Sequence, residues 1–360
     1  VGSPQTPEET NPFVPRRWLR GGHVQTVASF LIQRHLRLPA PEARMIEVAP
    51  GVEVLCHCHW QNDRTKALTI IVVHGLEGSS ESQYMLGIAE KGLRAGMNVV
   101  LYNQRNCGGT DALAPVLYHS GLSNDIAAVA RELIARDGVS RLALVGFSMG
   151  GNLVLKLAGE WGLSEHGRSA DGRTDDGRKN AAPPQFRAVA ACCPALDLAA
   201  SADELHAPSN RLYEAYFLWA LRRRMRYKAS LFPGHFDLTR LKGLRSLREF
   251  DDQVTAYYCG FTGADDYYDR ASAAHVVGNI SVPALILHAA NDPFILITPE
   301  TRKKILANPH IKFVESEDGG HCAFIGARSN NGRNGQAHIA TPQDDGFWAE
   351  TEIVNFLRRF

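Results

Sequence analysis

Hydrophobic and polar positions along the chain switch repeatedly between two periods, and the switches mark its elements. Short apolar runs rich in β-branched residues recur at 68–73, 98–102, 142–145, 188–193, 280–287 and 311–315. Runs of that length between polar or Gly/Pro boundaries read as buried strands. Between them, segments 82–95, 125–136, 151–161, 299–306 and 348–357 read as helices. Leu153, Val154, Leu157, Ala158 and Trp161, for example, fall on one helical stripe. Residues 45–48 and 52–58 alternate in twos around Pro50-Gly51, which predicts an antiparallel pair, and residues 21–26 are expected to lead into a short helix through Gln33. Strands alternating with helices imply a mostly parallel sheet wound on both faces. Segment 197–272 breaks that alternation and reads as mostly helical. An insertion there is expected to lie over the C-terminal edge of the sheet as a lid.

The expected architecture is therefore an α/β fold with an N-terminal arm over 1–44. Its core covers 45–196 and 273–360, with the helical lid at 197–272. Residues 11–20 should run extended and pin themselves with Phe13 and Trp18. Residues 1–10, 164–184 and 326–345 are polar and read as a leader and two surface loops.

Composition changes this picture little. The 360 residues carry 39 Lys and Arg against 38 Asp and Glu, a net charge of +1 with no bias toward nucleic acid. No apolar run approaches the roughly 18 residues of a membrane span. Seven cysteines at irregular spacing read as buried thiols of a cytoplasmic protein. Cys56-His-Cys-His59 sits on a strand, where alternation sends the thiols and the imidazoles to opposite faces. Neither metal nor cofactor is expected.

The chemistry centres on Gly146-Phe-Ser-Met-Gly150, a G-x-S-x-G between a strand and a helix. So tight a turn forces the central residue into a strained conformation with its side chain at the tip, and the flanking glycines remove colliding Cβ atoms. Ser148 is thus a candidate nucleophile, and the Met149 amide a candidate donor to an oxyanion. The second donor should come from the loop after the strand at 68–73, where His74-Gly75-Leu76 offers the Leu76 amide. His74 reads as loop support, Ser79 and Ser80 as caps of the next helix, and Ser123 as the cap of another.

A serine needs a base, and the base an orienting acid. Asp292 follows one late strand and His321, after Gly319-Gly320, follows the last, so both reach the edge that carries Ser148. Asp197 is the reserve acid. His119, His235 and His288 are competing bases, of which His119 is the serious rival. In segment 197–272, Tyr216 and Trp219 head an apolar aromatic helix beside Arg222-Arg-Arg-Met-Arg226 and are the candidate substrate contacts.

Several stretches together resemble the α/β-hydrolase superfamily, and its YheT-like branch in particular. They are Asn11-Pro-Phe, Gly22-His-Val-Gln-Thr26, His74-Gly-Leu-Glu-Gly-Ser79, Tyr102-Asn-Gln-Arg-Asn-Cys-Gly-Gly-Thr110, Gly146-Phe-Ser-Met-Gly-Gly-Asn152, Asp266-Tyr-Tyr, Asn291-Asp-Pro-Phe294 and Gly319-Gly-His321. The resemblance implies a serine hydrolase with Ser148, Asp292 and His321 as its triad. Family members include esterases, phospholipid-cleaving enzymes and enzymes that make fatty ethyl esters. Asn106 departs from the family pattern, which tends to have Gly there. Animal relatives carry an N-terminal membrane helix that is not recognisable here. The expectation is an esterase acting on small-molecule acyl esters of short to medium chain. Peripheral lipid contact is compatible with it. Acyl transfer to an alcohol and a non-catalytic binding protein are the alternatives.

Overall fold

The computed structural model describes residues 12–165, 181–327 and 345–360; the side chain of Glu165 lies outside the description, as do the leader and most of both polar loops. Eight strands form one sheet: β1 (Glu42–Ala49), β2 (Val52–His59), β3 (Thr69–Val73), β4 (Asn98–Tyr102), β5 (Leu142–Phe147), β6 (Phe186–Cys192), β7 (Ala284–Ala289) and β8 (Ile311–Ser316). Their order is β1-β2-β4-β3-β5-β6-β7-β8. β1 and β2 pair antiparallel, and so do β2 and β4; every other pairing is parallel. Parallel strands demand crossovers, and the intervening sequence supplies helices α2 (Gln83–Arg94), α3 (Ser123–Asp137), α4 (Met149–Glu165) and α10 (Pro299–Ala307), while α1 (Gly22–Leu31) precedes the sheet and α11 (Trp348–Leu357) follows it. Between β6 and β7 run α5 (Leu198–Leu205), α6 (Arg211–Leu231), α7 (Leu247–Phe250), a π-helical turn (Asp251–Ala256), α8 (Tyr257–Cys259) and α9 (Ala264–Ala271).

The central strands β3, β4, β5 and β7 are buried on both faces, so they are mostly apolar instead of alternating, whereas edge strand β1 alternates. Ile71 and Val73 of β3 point to the layer containing α3 and α4, and Ile70 and Val72 to the layer containing α2 and α11. Each such side chain is worth about 1.5–3 kcal/mol of burial, and these two layers hold the strand ends in place.

Three local expectations are corrected. α3 is capped by Leu122, and the Ser123 hydroxyl instead donates to Glu160 at 2.7 Å. α2 begins after Ser82; Ser79 accepts from the Glu81 amide, while Ser80 pairs with His57 and Asn103. Phe13 packs on Phe324 and Trp348 as a pin should, but Trp18 is 85% exposed and pins nothing.

Candidate active site

Ser148 directly follows β5 with φ +55°, in the left-handed region that a side chain enters only under constraint. The constraint is tight packing. A Cβ on Gly146 would strike the Gly150 carbonyl, and one on Gly150 the Val73 carbonyl. The Ser148 amide donates to Cys192 O of β6, and α4 starts at the next residue. Asn152, fully buried one turn on, fixes this helix by donating to Ser120 O and Ala271 O and accepting from the Ala273 amide.

The loops after β7 and β8 bring Asp292 and His321 to the same point. His321 Nε2 lies 2.9 Å from Ser148 Oγ, and Nδ1 lies 2.8 Å from Asp292 Oδ2. The other Asp292 oxygen accepts the Phe294 and Ile295 amides. Burial alone would raise the Asp292 carboxyl. The charge and hydrogen bond of His321 and the Ile295 amide outweigh it, and the carboxyl stays below its ordinary range. A buried carboxylate on Nδ1–H leaves Nε2 free to accept the Ser148 proton.

The other sequence candidates make different contacts, although His119 lines the cavity that also borders Ser148. Asp197 accepts from Thr298 and Thr301 at the start of α10. His119 is packed edge-on against Phe261 and Tyr267, and burial lowers it to about 4. His288 is buried in β7, and His235 lies against Phe236.

On the opposite side of Ser148, Gly75 brings the loop after β3 close. A Cβ there would stand 3.1 Å from Ser148 Cβ. Tyr84 OH accepts the Gly75 amide at 3.0 Å, and His74 bridges the Gly75 carbonyl and the Gln104 amide. Burial lowers His74 to about 4, so it is a neutral strut as its sequence context suggested. The Leu76 and Met149 amides find no protein acceptor among the described residues. Both residues line the cavity next to Ser148.

That cavity measures about 120 Å³. Leu198, Phe217, Leu221, Met225, Phe294 and Ile295 give it an apolar wall, with Asp251 and Tyr268 also on its lining. Tyr216 and Trp219 are not on the lining; they are half-exposed and lean on each other across 6.2 Å. Phe217, on the other side of the same helix, lines the space instead.

Two features had no assigned role in the sequence. In α1, Gln25 and Thr26 are buried polar residues. Thr26 Oγ1 accepts the His321 amide at 2.9 Å, and Gln25 pairs with both the amide and the carbonyl of Ile325. Gly320, at φ +58°, is where α1 touches this loop: a Cβ there would strike the Gly22 carbonyl. Second, Glu77 accepts from Tyr118 OH and from Arg224 of α6. Arg224 also donates to the Asn106 carbonyl, and Asn106 takes φ +61°, a conformation asparagine tolerates better than most residues. The departure from glycine at 106 is therefore accommodated, and its side chain accepts from buried Lys228.

The thiols of Cys192, Cys193 and Cys322 lie within 4.8 Å of one another, and Cys193 lies as close to Asp292 and His321. Burial pushes all three thiols well above their ordinary range. Among the described residues, no helix is long and apolar enough to cross a membrane.

A family model described as the alpha/beta hydrolase fold matches residues 69–161, from β3 through the elbow into α4. The Escherichia coli K12 protein named "Putative esterase YheT" is 30% identical over 357 residues, covering 97% of this chain and 93% of its own length. The mouse protein named phospholipase ABHD3 is 27% identical over 267 residues, or 73% of this chain, which spans 60% of that protein. Among solved structures, the Pyrococcus furiosus esterase Pf2001 aligns with a TM-score of 0.51 at 14% identity, covering 98% of this chain and 99% of that one, a likeness of fold. Identity sustained from the arm to the last helix, on an eight-stranded sheet with its elbow serine, makes this chain a member of the α/β-hydrolase family, in the branch that includes YheT.

Proposed function

We propose that the protein is a serine-dependent carboxylic-ester hydrolase working through an acyl-enzyme. The observation that carries the reading is the continuous hydrogen-bonded line Ser148–His321–Asp292, beside a cavity lined by Leu76 and Met149, whose amides find no protein acceptor among the described residues. Ser148 Oγ attacks the ester carbonyl while His321 Nε2 takes its proton. Asp292 steadies the imidazolium, and the Leu76 and Met149 amides donate to the tetrahedral oxyanion. His321 then passes the proton to the departing alkoxide. Water enters, gives its proton to the same nitrogen and adds to the acyl carbonyl; the Ser148 Oγ–acyl bond then breaks, His321 returns the proton to Oγ, and the acid leaves.

The helices over 197–272 act in this reading as a lid that limits the acyl chain. A cavity near 120 Å³ falls below the roughly 300–1,000 Å³ of sites that hold drug-sized ligands, which favours short acyl groups. The names of the E. coli and mouse relatives point to ester substrates as well.

The test is a panel of p-nitrophenyl acyl esters with a fluorophosphonate probe. Wild type should hydrolyse the short esters and be labelled at Ser148. Ser148→Ala should lose labelling and about 10⁶ in kcat, and Asp292→Asn about 10⁴. Turnover without labelling, or labelling that survives Ser148→Ala, overturns the assignment. Ethyl ester formed in added ethanol would assign the second half-reaction to alcohol transfer instead of water.

A further inference from the structure

α1 and the first half of α6 expose more apolar surface than a helix facing only water has reason to carry. Val24, Val27, Phe30 and Leu31 lie along the outer side of α1, with Phe30 and Leu31 71% and 73% exposed. Leu212, Tyr216 and Trp219, spaced four and three apart, do the same on α6, with Leu212 86% exposed. Single exposed apolar residues are ordinary, but a contiguous set is not. These are contiguous: the Phe30 ring meets Tyr216 edge-on at 6.3 Å, and His23 stacks on Tyr213 at 5.7 Å. Exposed Trp18 stands just before α1.

The charges around them are segregated. Residues 12–41 contain five arginines and no acid. Residues 206–236 contain six cationic side chains and one acid, Glu214, which is buried and engaged by His206 and the Leu247 amide. The whole chain nets only +1, so the remainder is acidic. Arg17, Arg20, Arg211, Arg223 and Arg226 are exposed and pair with no carboxylate among the described residues. Arg17 lies over Trp18 and Arg223 over Trp219.

We infer that the outer faces of α1 and α6 form one docking surface for an anionic lipid bilayer. Aliphatic tips, interfacial Trp and Tyr, and an arginine rim are what a helix lying in the headgroup layer presents. A second copy of this chain fits less well, because self-pairing would bring unpaired arginines together. The surface adjoins the candidate site. Tyr213 touches Phe294 at 5.2 Å, and Phe294 touches the His321 ring at 4.5 Å. α6 thus meets lipid with Leu212 and Trp219 and the cavity with Phe217 and Leu221. That this docking delivers an ester from the bilayer rests on the hydrolase reading; the docking itself does not.

The experiment is co-sedimentation of the full chain with vesicles of phosphatidylcholine alone or mixed with phosphatidylglycerol. Tryptophan emission is followed with brominated acyl chains, and p-nitrophenyl acetate hydrolysis is measured in parallel. Wild type should sediment with the mixed vesicles at low salt, be released at high salt, and show a blue-shifted, bromine-quenched emission. Arg211→Glu with Arg223→Glu should lower partitioning roughly thirtyfold. Phe30→Ser with Leu212→Ser should abolish the bromine quenching. Both double variants should keep wild-type turnover of the soluble ester. The docking proposal is overturned if wild type stays in the supernatant at low salt, or if both double variants sediment as wild type does. It is equally overturned if their main effect in sedimentation velocity is loss of a dimer. An inert wild type that still binds vesicles would sink the hydrolase reading and leave the docking surface standing.

Discussion

Thr26 lies 295 residues before His321, yet its hydroxyl accepts the His321 amide. It also donates to Gly22 O, so it is a fixed post inside α1 against which the histidine loop is set. Thr26→Val keeps the shape and removes the acceptor, leaving a part-buried amide unpaired at about 1–3 kcal/mol. If Thr26 positions the ring, small misplacement should cost kcat roughly tenfold or more with little change in KM. Thr26→Ser should restore it, whereas a general loss of folding would lower active-enzyme yield in both. Steady-state kinetics on a soluble ester separates the cases. The convergence of Ser148, Asp292 and His321 was legible because each follows a strand whose apolar run marks its end, and parallel strands share one C-terminal edge. Gln25 and Thr26 were not, because polar residues on a short helix look solvated until the loop that buries them is known. Trp18 failed in the opposite sense: an aromatic suggests burial, and only the structure reveals that it faces outward.

At the scale of elements, α6 is the instructive case. Its period was readable, but both of its faces are apolar, so periodicity could not say which one meets the cavity. Tyr216 and Trp219 looked like substrate contacts for that reason, while Phe217, Leu221 and Met225 form the wall. Fixing which face points inward takes long-range contacts. Arg224 supplies one, reaching Glu77, Asp111 and the Asn106 carbonyl from α6. Leu221→Ala should enlarge the cavity and move the kcat/KM optimum of a p-nitrophenyl ester series toward longer chains. It should also cost about 2–5 kcal/mol of stability, because Leu221 is 7% exposed. An unchanged chain-length profile with the stability loss present would mean that α6 does not set the acyl limit. The strands and the helical break after β6 were legible from period alone; the sheet order was not, since nothing local says that β4 must slip between β2 and β3.

Over the whole molecule, two buried carboxyls that both lie near the candidate site pull stability in opposite directions with pH. Asp292 is held below its ordinary range, so its contribution is present above the unfolded-state value and fades as pH falls through the folded one. Asp251, in the π-helical turn, accepts the hydroxyls of Thr255 and Tyr268, and burial raises it from 3.8 to about 6. A raised carboxyl has the reverse sign. Its contribution is complete below the unfolded value and is lost as pH climbs through about 6. Above that window the fold carries a buried carboxylate at a cost of ~3 kcal/mol, the free-energy equivalent of the displacement. Asp251→Asn removes the ionisation while keeping the size. Any fixed penalty from its amide is common to all pH values and cancels when two are compared. Relative to wild type, the variant should therefore gain up to ~3 kcal/mol between about pH 4 and about pH 8 in urea unfolding, with the change centred between the two carboxyl values. An equal difference at both pH values would mean that the pocket at Asp251 admits enough water to leave the acid unperturbed. The apolar wall around the cavity would then be wetter than its lining residues imply.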